Sequence, residues 1–402
     1  MRISLLQKRE PFGEILVETM RTYWLRRYDR EHKLRWFGRN PGAGTMRSVG
    51  WQPWCGNIYL NYLATPDVPV EAFENLRDEY ARSHSAWRRF LQGAYVGLAT
   101  GRFRNRLAQV ALGVCPDVPD ANETILLGGN RRLRLINPAR KTSSVILKHR
   151  FPAAYIEEDV RIRQEQKLEF APRMLAADAK AGWYDEEYVV GVPANRLERG
   201  LREAAGEEAI EQLRRGLIEP TQRECDAHDH LDRRFEEIGK LVERGRGHLS
   251  NPVGDLIAQL RETGGKLLGR GSKVPLSVSH GDFQEGNVLR RSDGVTVIDW
   301  ESVTERHAAY DLLVFELKCR QGPDWSERLR SWVEEGGQRS DSWPGAGKSR
   351  VERGVAGLFF LLEELLYVVS ELAEVDFLKP LHDLEPLFER FQVGLIGVNA
   401  AN

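Results

Sequence analysis

Two short runs carry the residue types that do chemistry. Ser279 to Leu289 reads Ser-His-Gly-Asp-Phe-Gln-Glu-Gly-Asn-Val-Leu, and Val295 to Glu301 reads Val-Thr-Val-Ile-Asp-Trp-Glu. They set His280, Asp282, Asn287 and Asp299 in a pattern suited to phosphoryl transfer. A hydroxyl attacking the terminal phosphate of a nucleotide needs a carboxylate that orients it and takes its proton. It also needs oxygen ligands that hold Mg²⁺ against the phosphates. Asp282 and Asn287 stand five residues apart, and Asp299 can supply the second metal ligand.

The flanking residues say how these groups are held. Val274 to Val278 is an apolar run that reads as a strand leading into the loop. Val288-Leu289 and Val295 to Ile298 read as a hairpin turned by Ser292-Asp293-Gly294. That hairpin is predicted to bring Asp299 back beside Asn287. A lone His-Gly-Asp would be only a tight turn, and a lone Asp299 a helix cap; the combination points to phosphotransfer.

Both runs resemble those of the aminoglycoside phosphotransferase and choline kinase superfamily. The resemblance implies an α+β, bilobal protein-kinase-like fold, with a small antiparallel-sheet N-lobe and a large helical C-lobe. We place the N-lobe at residues 121–193, the C-lobe with its catalytic loop at 194–402, and a mainly helical extension at 1–120. The resemblance further implies Asp282 as the catalytic aspartate, Asn287 and Asp299 as Mg²⁺ ligands, and a loop-orienting role for His280. Asp311, in Ala-Ala-Tyr-Asp-Leu-Leu, matches an aspartate that braces the catalytic loop, although a helix-starting acid fits the same place. The implied nucleotide is ATP, with GTP as the alternative.

Asn122 to Leu127, Arg132 to Ile136 and Ser144 to Lys148 read as three successive strands. Gly128-Gly129-Asn130 joins the first two, where a phosphate-facing loop belongs, though these residues also suit an ordinary hairpin turn and no Gly-x-Gly-x-x-Gly is present. Lys148 ends the third strand, from which a lysine can reach the nucleotide phosphates if a carboxylate steadies it. The helical pattern from Ile156 to Phe170 offers Glu165 for that task, with Glu169 in reserve. Tyr188 to Pro193 reads as a strand ending in a hinge, where the backbone around Val190 to Val192 would meet the adenine edge.

The chain has 402 residues, 58 Lys plus Arg against 59 Asp plus Glu, and a net charge of −1. That balance gives no chain-wide case for nucleic acid or an anionic membrane as partner. The first residues are charged too early for a signal-peptide core, so cytoplasm is expected. Cys55, Cys115, Cys225 and Cys319 lie far apart and read as free thiols. Val355 to Val375 is strongly apolar but interrupted by Glu363, Glu364, Glu371 and Glu374, which suits a buried helix rather than a membrane span.

Residues 1–120 hold five of the ten tryptophans, with helical patterns at Ile15–Tyr28 and Val70–Ala99. Their aromatics are expected mostly in a core. Residues 196–246 read as charged helices, and Gly336–Ser349 as a loop. Two decoys are set aside. Pro344 to Ser349 resembles the end of a Walker loop but has no preceding strand, and Cys225 to His230 reads as a solvated helix face rather than a metal cluster.

The expectation is an ATP- and Mg²⁺-dependent kinase acting on a hydroxyl of a small molecule, sugar or glycan. Glu285, Glu301 and Glu305 are candidates for an acidic acceptor cleft. A nucleotide-binding scaffold without chemistry is the rival, opposed by the intact Lys148, Asp282, Asn287 and Asp299. A protein kinase is disfavoured by the lack of His-Arg-Asp, Asp-Phe-Gly and Ala-Pro-Glu.

Overall fold

A computed structural model describes residues 1–80, 86–245, 250–339, 342–380 and 385–401. The chain forms two compact units, one of Met1–Val160 with Pro172–Val190 and the other of Arg161–Ala171 with Gly191–Asn402.

The first unit is built on a nine-stranded sheet. Its strands are β1 (Lys33–Phe37), β2 (Gln52–Asn57), β3 (Tyr62–Ala64), β4 (Val110–Cys115), β5 (Ile125–Leu127), β6 (Arg132–Asn137), β7 (Thr142–Leu147), β8 (Met174–Asp178) and β9 (Trp183–Glu187). They run in the order β1-β4-β2-β3-β5-β6-β7-β9-β8. Every neighbouring pair is antiparallel. Helices α1 (Ile3–Arg9), α2 (Phe12–Tyr28), α3 (Ala43–Ser48), α4 (Glu74–Tyr80) and α5 (Ala86–Thr100) accompany them. Residues 81–85 of the Val70–Ala99 helical pattern lie outside the described residues.

The period of two along each strand shows why both faces are covered. Leu126 of β5 joins Leu6, Phe12, Leu16 and Trp24 of the first two helices, while its neighbour Ile125 joins Phe73, Leu76 and Val96 on the other side. The first 120 residues are mainly helical, as expected. However, they are not a separate extension, because their four strands continue the sheet that β5 to β7 begin. The strand expected at Tyr188–Pro193 also differs: β9 ends at Glu187, and only Val192–Pro193 pairs again.

In the second unit, β10 (Val192–Pro193), β13 (Val288–Arg290) and β14 (Val295–Val297) form one small sheet, and β11 (Arg223–Asp226), β12 (Lys273–Ser279) and β15 (Thr304–His307) another. Helix α6 (Ala154–Gln166) spans the boundary between units. The remaining helices are α7 (Arg199–Leu213), which runs through a π-turn into α8 (Glu219–Thr221), α9 (Ala227–Arg244), α10 (Ser250–Leu267), α11 (Tyr310–Glu316), α12 (Trp325–Glu335), α13 (Arg350–Ala373) and α14 (Glu385–Asn399).

Helix α13 is the apolar segment foreseen in the sequence, and Leu358 to Leu362 are fully buried. Its interior Glu363 and Glu364 are buried too, each held by an arginine, Arg234 and Arg320 respectively. Among the described residues no helix is long and apolar enough to cross a membrane.

One decoy needs correction. Cys225 lies on β11, Asp226 caps α9 by accepting from the N–H of His228 and Asp229, and His230 is no solvated residue. It is buried, with Nε2 3.2 Å from Glu363 Oε1. The Walker-like residues lie ahead of α13, where Ser349 and Glu352 form a capping box. Residues 340 and 341 of that loop lie outside the described residues.

Candidate active site

The loop begins where β12 ends. Gly281 has φ +86°, and a Cβ there would sit 2.3 Å from the Ser302 carbonyl oxygen, so the turn requires glycine. Asp311, in the first turn of α11, receives the two N–H groups exposed by this turn: His280 N at 2.7 Å and Gly281 N at 2.9 Å. Burial raises the Asp311 carboxyl above its usual value, against the opposing pull of His280 and the two N–H donors. Bracing and helix-starting turn out to be the same placement.

His280 is fully buried and has both nitrogens engaged. Nε2 lies 3.0 Å from the Ile298 carbonyl oxygen, and Nδ1 accepts from Asp282 N at 3.2 Å. These partners assign the proton to Nε2. The imidazole therefore links the residue before Asp299 to Asp282 itself, with Trp300 packed edge-on against its ring at 4.6 Å.

Asp282 is held by three donors. Oδ1 accepts from Arg320 Nε at 2.9 Å, and Oδ2 accepts from Gln284 Nε2 at 2.9 Å and Asn287 Nδ2 at 3.0 Å. The Asn287 amide nitrogen also donates to the Asp282 carbonyl oxygen at 2.9 Å. With its nitrogen committed twice, Asn287 has its amide oxygen left as the group that could meet a cation.

The expected hairpin forms, pairing Val288 with Val297 and Arg290 with Val295. Ile298 N donates to the Asn287 carbonyl oxygen at 2.9 Å, which brings the residue preceding Asp299 onto Asn287. Asp299 is left-handed, φ +69°, a conformation that aspartate tolerates better than most side chains. An amide oxygen and a carboxylate are hard ligands that fit Mg²⁺, which commonly takes one or two protein groups and completes its shell with phosphate and water. Among the described residues no group of three His, Cys, Asp or Glu forms a fuller cage.

Arg320 was missed in the sequence. Its terminal nitrogens donate to both oxygens of Glu364, at 2.6 and 2.9 Å, and its guanidinium lies 4.4 Å from the Tyr367 ring centre. Burial works against this cation, but Glu364 outweighs it and holds the Arg320 pKa well above the usual value. Tyr310 donates to Glu364 Oε1 at 2.5 Å, and burial together with the Glu364 charge raises its phenol far above the ordinary range. Glu285 is buried, and its Oε2 receives Gln321 Nε2 at 3.2 Å. Of the other acidic candidates, Glu305 is held by Arg223.

In the sheet unit, Gly128, Gly129 and Asn130 lie between β5 and β6, as expected. Lys148 follows β7 and is buried, with Nζ donating to the Asn130 carbonyl oxygen at 2.8 Å. The structure corrects its carboxylate partner. Glu10, just past α1, pairs with Lys148, whereas Glu165 is exposed on α6 and takes Arg161 at 2.7 Å. Glu169 is likewise exposed and lies beyond the end of α6. Burial raises the Glu10 carboxyl above its usual value, partly offset by the Lys148 charge. No periodicity marks Glu10, which lies 138 residues from its partner. Arg9 Nη1 also donates to Asn130 Oδ1 at 3.2 Å, so the N-terminal residues buttress the glycine turn. Val190 and Val192 are both exposed, at 57% and 44%, and the division between units falls directly between them.

A family model described as "Phosphotransferase enzyme family" matches residues 129–339, just over half the chain. No curated protein matches. Similar solved structures include a choline/ethanolamine kinase family protein from Mesorhizobium loti, with 18% identity, a TM-score of 0.44, and coverage of 69% of this chain and 92% of that one. A choline kinase from Cryptosporidium parvum has 18% identity, a TM-score of 0.44 and coverage of 68% and 88%. An aminoglycoside phosphotransferase from Streptomyces rimosus, solved with ADP and streptomycin, has 21% identity, a TM-score of 0.39 and coverage of 60% and 94%. All three are distant likenesses.

Proposed function

The chain belongs to the phosphotransferase enzyme family, and from that premise we propose that it transfers the terminal phosphoryl group of ATP, with Mg²⁺, to a hydroxyl of a sugar, aminoglycoside or glycan. It is an ATP-dependent phosphotransferase acting on a small-molecule hydroxyl; the acceptor class, the metal and the roles of individual residues are our reading.

One observation carries the role of Asp282. An ionised carboxylate offers about four acceptor sites. Arg320 takes one on Oδ1, and Gln284 and Asn287 take two on Oδ2. The remaining site on Oδ1 is where an acceptor hydroxyl donates. Its oxygen then attacks the terminal phosphorus, the bond to the bridging oxygen breaks, ADP leaves, and the hydroxyl proton passes to Asp282. His280 and Asp311 keep the loop in place while this happens. Asn287 and Asp299 would hold Mg²⁺, which when bound neutralises charge on the phosphoryl oxygens. Lys148, steadied by Glu10, would position the nucleotide phosphates. Most of the acceleration comes from positioning and preorganised charge.

The acceptor class is supported by a cavity of about 720 Å³ in the helical unit, which Glu285 of the catalytic loop helps to line. Glu203, Glu316, Arg202 and Arg339 also line it, and Arg202 Nε is a buried donor without a partner. Such walls suit a compound rich in hydroxyls and charge rather than an apolar one. The test is transfer from terminally labelled ATP across sugars, aminoglycosides and amino alcohols. Labelled phosphomonoester on a sugar or aminoglycoside is expected. Tight Mg²⁺-ATP binding with no transfer to any acceptor would instead indicate an inert scaffold.

A further inference from the structure

Helix α5 is apolar on the side that faces away from the protein. Its inner face is set by Val96, Ala99 and Thr100, all buried against β3 and α4. Tyr62 donates to the Ala99 carbonyl oxygen, and Arg77 Nε donates to Thr100 Oγ1 at 2.8 Å. A helix docked this way ordinarily turns polar residues outward. Here Trp87, Phe90, Leu91, Ala94 and Leu98 follow one another at helical spacing along the opposite side, and all are exposed, while Tyr95 at the edge of this face accepts from buried Asn57 Nδ2 at 2.9 Å. Trp87 and Phe90 are 67% and 68% exposed and stack on each other, with ring centres 6.1 Å apart. Phe103, just after the helix, is 50% exposed.

Along α5 and the turn after it the charge is one-sided, although Glu71 and Glu74 are exposed on the segment that packs beside the helix. Residues 86–106 contain five arginines and no acidic residue, within a chain whose net charge is only −1. Arg104 is buried and bonds to the Pro66 and Val68 carbonyls, but Arg88, Arg102 and Arg106 are exposed at the two ends of the ridge. A second copy packed ridge on ridge would set these arginines against their own counterparts, with no carboxylate in residues 86–106 to meet them. Aromatic and leucine side chains between cations instead match the boundary of an anionic bilayer, where rings sit at headgroup depth and arginines meet lipid phosphates. At 15 residues α5 is about 22 Å long, too short to cross, so it would lie along the surface.

We propose that the outer face of α5 docks this protein on an anionic membrane surface, with Trp87, Phe90, Leu91 and Leu98 entering the headgroup boundary and Arg88, Arg102 and Arg106 contacting lipid phosphates. This rests on α5 alone and stands whether or not the phosphotransfer reading holds.

The test is sedimentation of the full chain with vesicles of phosphatidylcholine alone or with about one quarter phosphatidylglycerol. Binding to the anionic vesicles is expected to exceed that to the neutral ones by about tenfold or more at low salt, and to weaken at about 0.5 M salt. Trp87→Glu with Phe90→Glu should abolish it while leaving the melting temperature and ATP turnover unchanged. Arg88→Gln with Arg102→Gln, which leaves the apolar ridge intact, should weaken it about tenfold. No binding of the wild-type chain to anionic vesicles at low salt would overturn the proposal, as would binding that survives the Trp87/Phe90 exchange. A solution dimer that this exchange splits into monomers would assign the ridge to a second copy and overturn it equally.

Discussion

Arg320 Nε donates to Asp282 Oδ1 at 2.9 Å while its other two nitrogens are held by Glu364. The arginine is thus fixed from behind by a buried carboxylate on α13, and from the front it fixes the carboxylate that we assign to the acceptor hydroxyl. Arg320 is a positioning residue in this account.

Removing it should therefore act on turnover more than on nucleotide binding. Arg320→Ala should lower kcat by about one to two orders of magnitude, the scale expected when a reacting group loses its alignment. The KM for ATP should stay close to wild type, and Arg320→Lys should restore part of the loss. The alanine variant also leaves Glu364 buried without its cation, at a cost of about 3–5 kcal/mol in denaturant unfolding. An unchanged kcat in the folded alanine variant would remove Arg320 from the account.

Glu10 and Glu165 give opposite expectations. The Glu10–Lys148 pair has no exposed side-chain surface, so Glu10→Ala removes the carboxylate from a buried ammonium and should cost about 3–5 kcal/mol. Glu10→Gln, which can still accept from Lys148, should cost less. Both should raise the KM for ATP. Glu165 is exposed and, among the described residues, is paired with Arg161, so Glu165→Ala should change stability by no more than about 0.5 kcal/mol. Urea unfolding and ATP titration of the three variants would check this.

His307 should shape the response to acid. Burial holds its imidazole down at about 3, from an ordinary 6.5, and the neighbouring His230 adds to the effect. The unfolded chain therefore binds a proton below pH 6.5 that the folded chain refuses until about pH 3. Stability is fully present above the unfolded value and is lost as pH falls through this window. Glu363 is also fully buried, but Arg234 and His230 outweigh that burial and lower its carboxyl to about 2 from 4.5, so its contribution is lost only below pH 4.5. Between pH 6.5 and 4.5, then, the slope of melting temperature against pH should be shallower in His307→Gln than in the wild type. Equal slopes would contradict the buried neutral histidine.

What the sequence made legible was local. His280, Asp282, Asn287 and Asp299 lie within 20 residues, and one hairpin with two tight turns brings them together, so their spacing carried the information. Strands β5 to β7 were readable because each is a short run rich in Ile, Leu and Val. Arg320 and Glu10 were not, since each meets its partner only through tertiary packing, 38 and 138 residues away. The sheet of the first 120 residues was obscured for another reason. Strand β3 has only three residues, and β2 contains Pro53 and Gly56, so neither shows the alternation that marks a strand.

The central claim is that Asp282 serves the acceptor hydroxyl while Asp299 serves the metal–nucleotide complex. Measuring Mg²⁺-ATP affinity and the rate of ATP turnover, to an accepting hydroxyl or to water, in Asp282→Ala and Asp299→Ala tests it most directly. Asp282→Ala should lose about three orders of magnitude or more in turnover with affinity nearly intact, and Asp299→Ala should weaken Mg²⁺-ATP binding itself. Near-normal turnover in Asp282→Ala, or undiminished Mg²⁺-ATP binding in Asp299→Ala, would contradict the assignment.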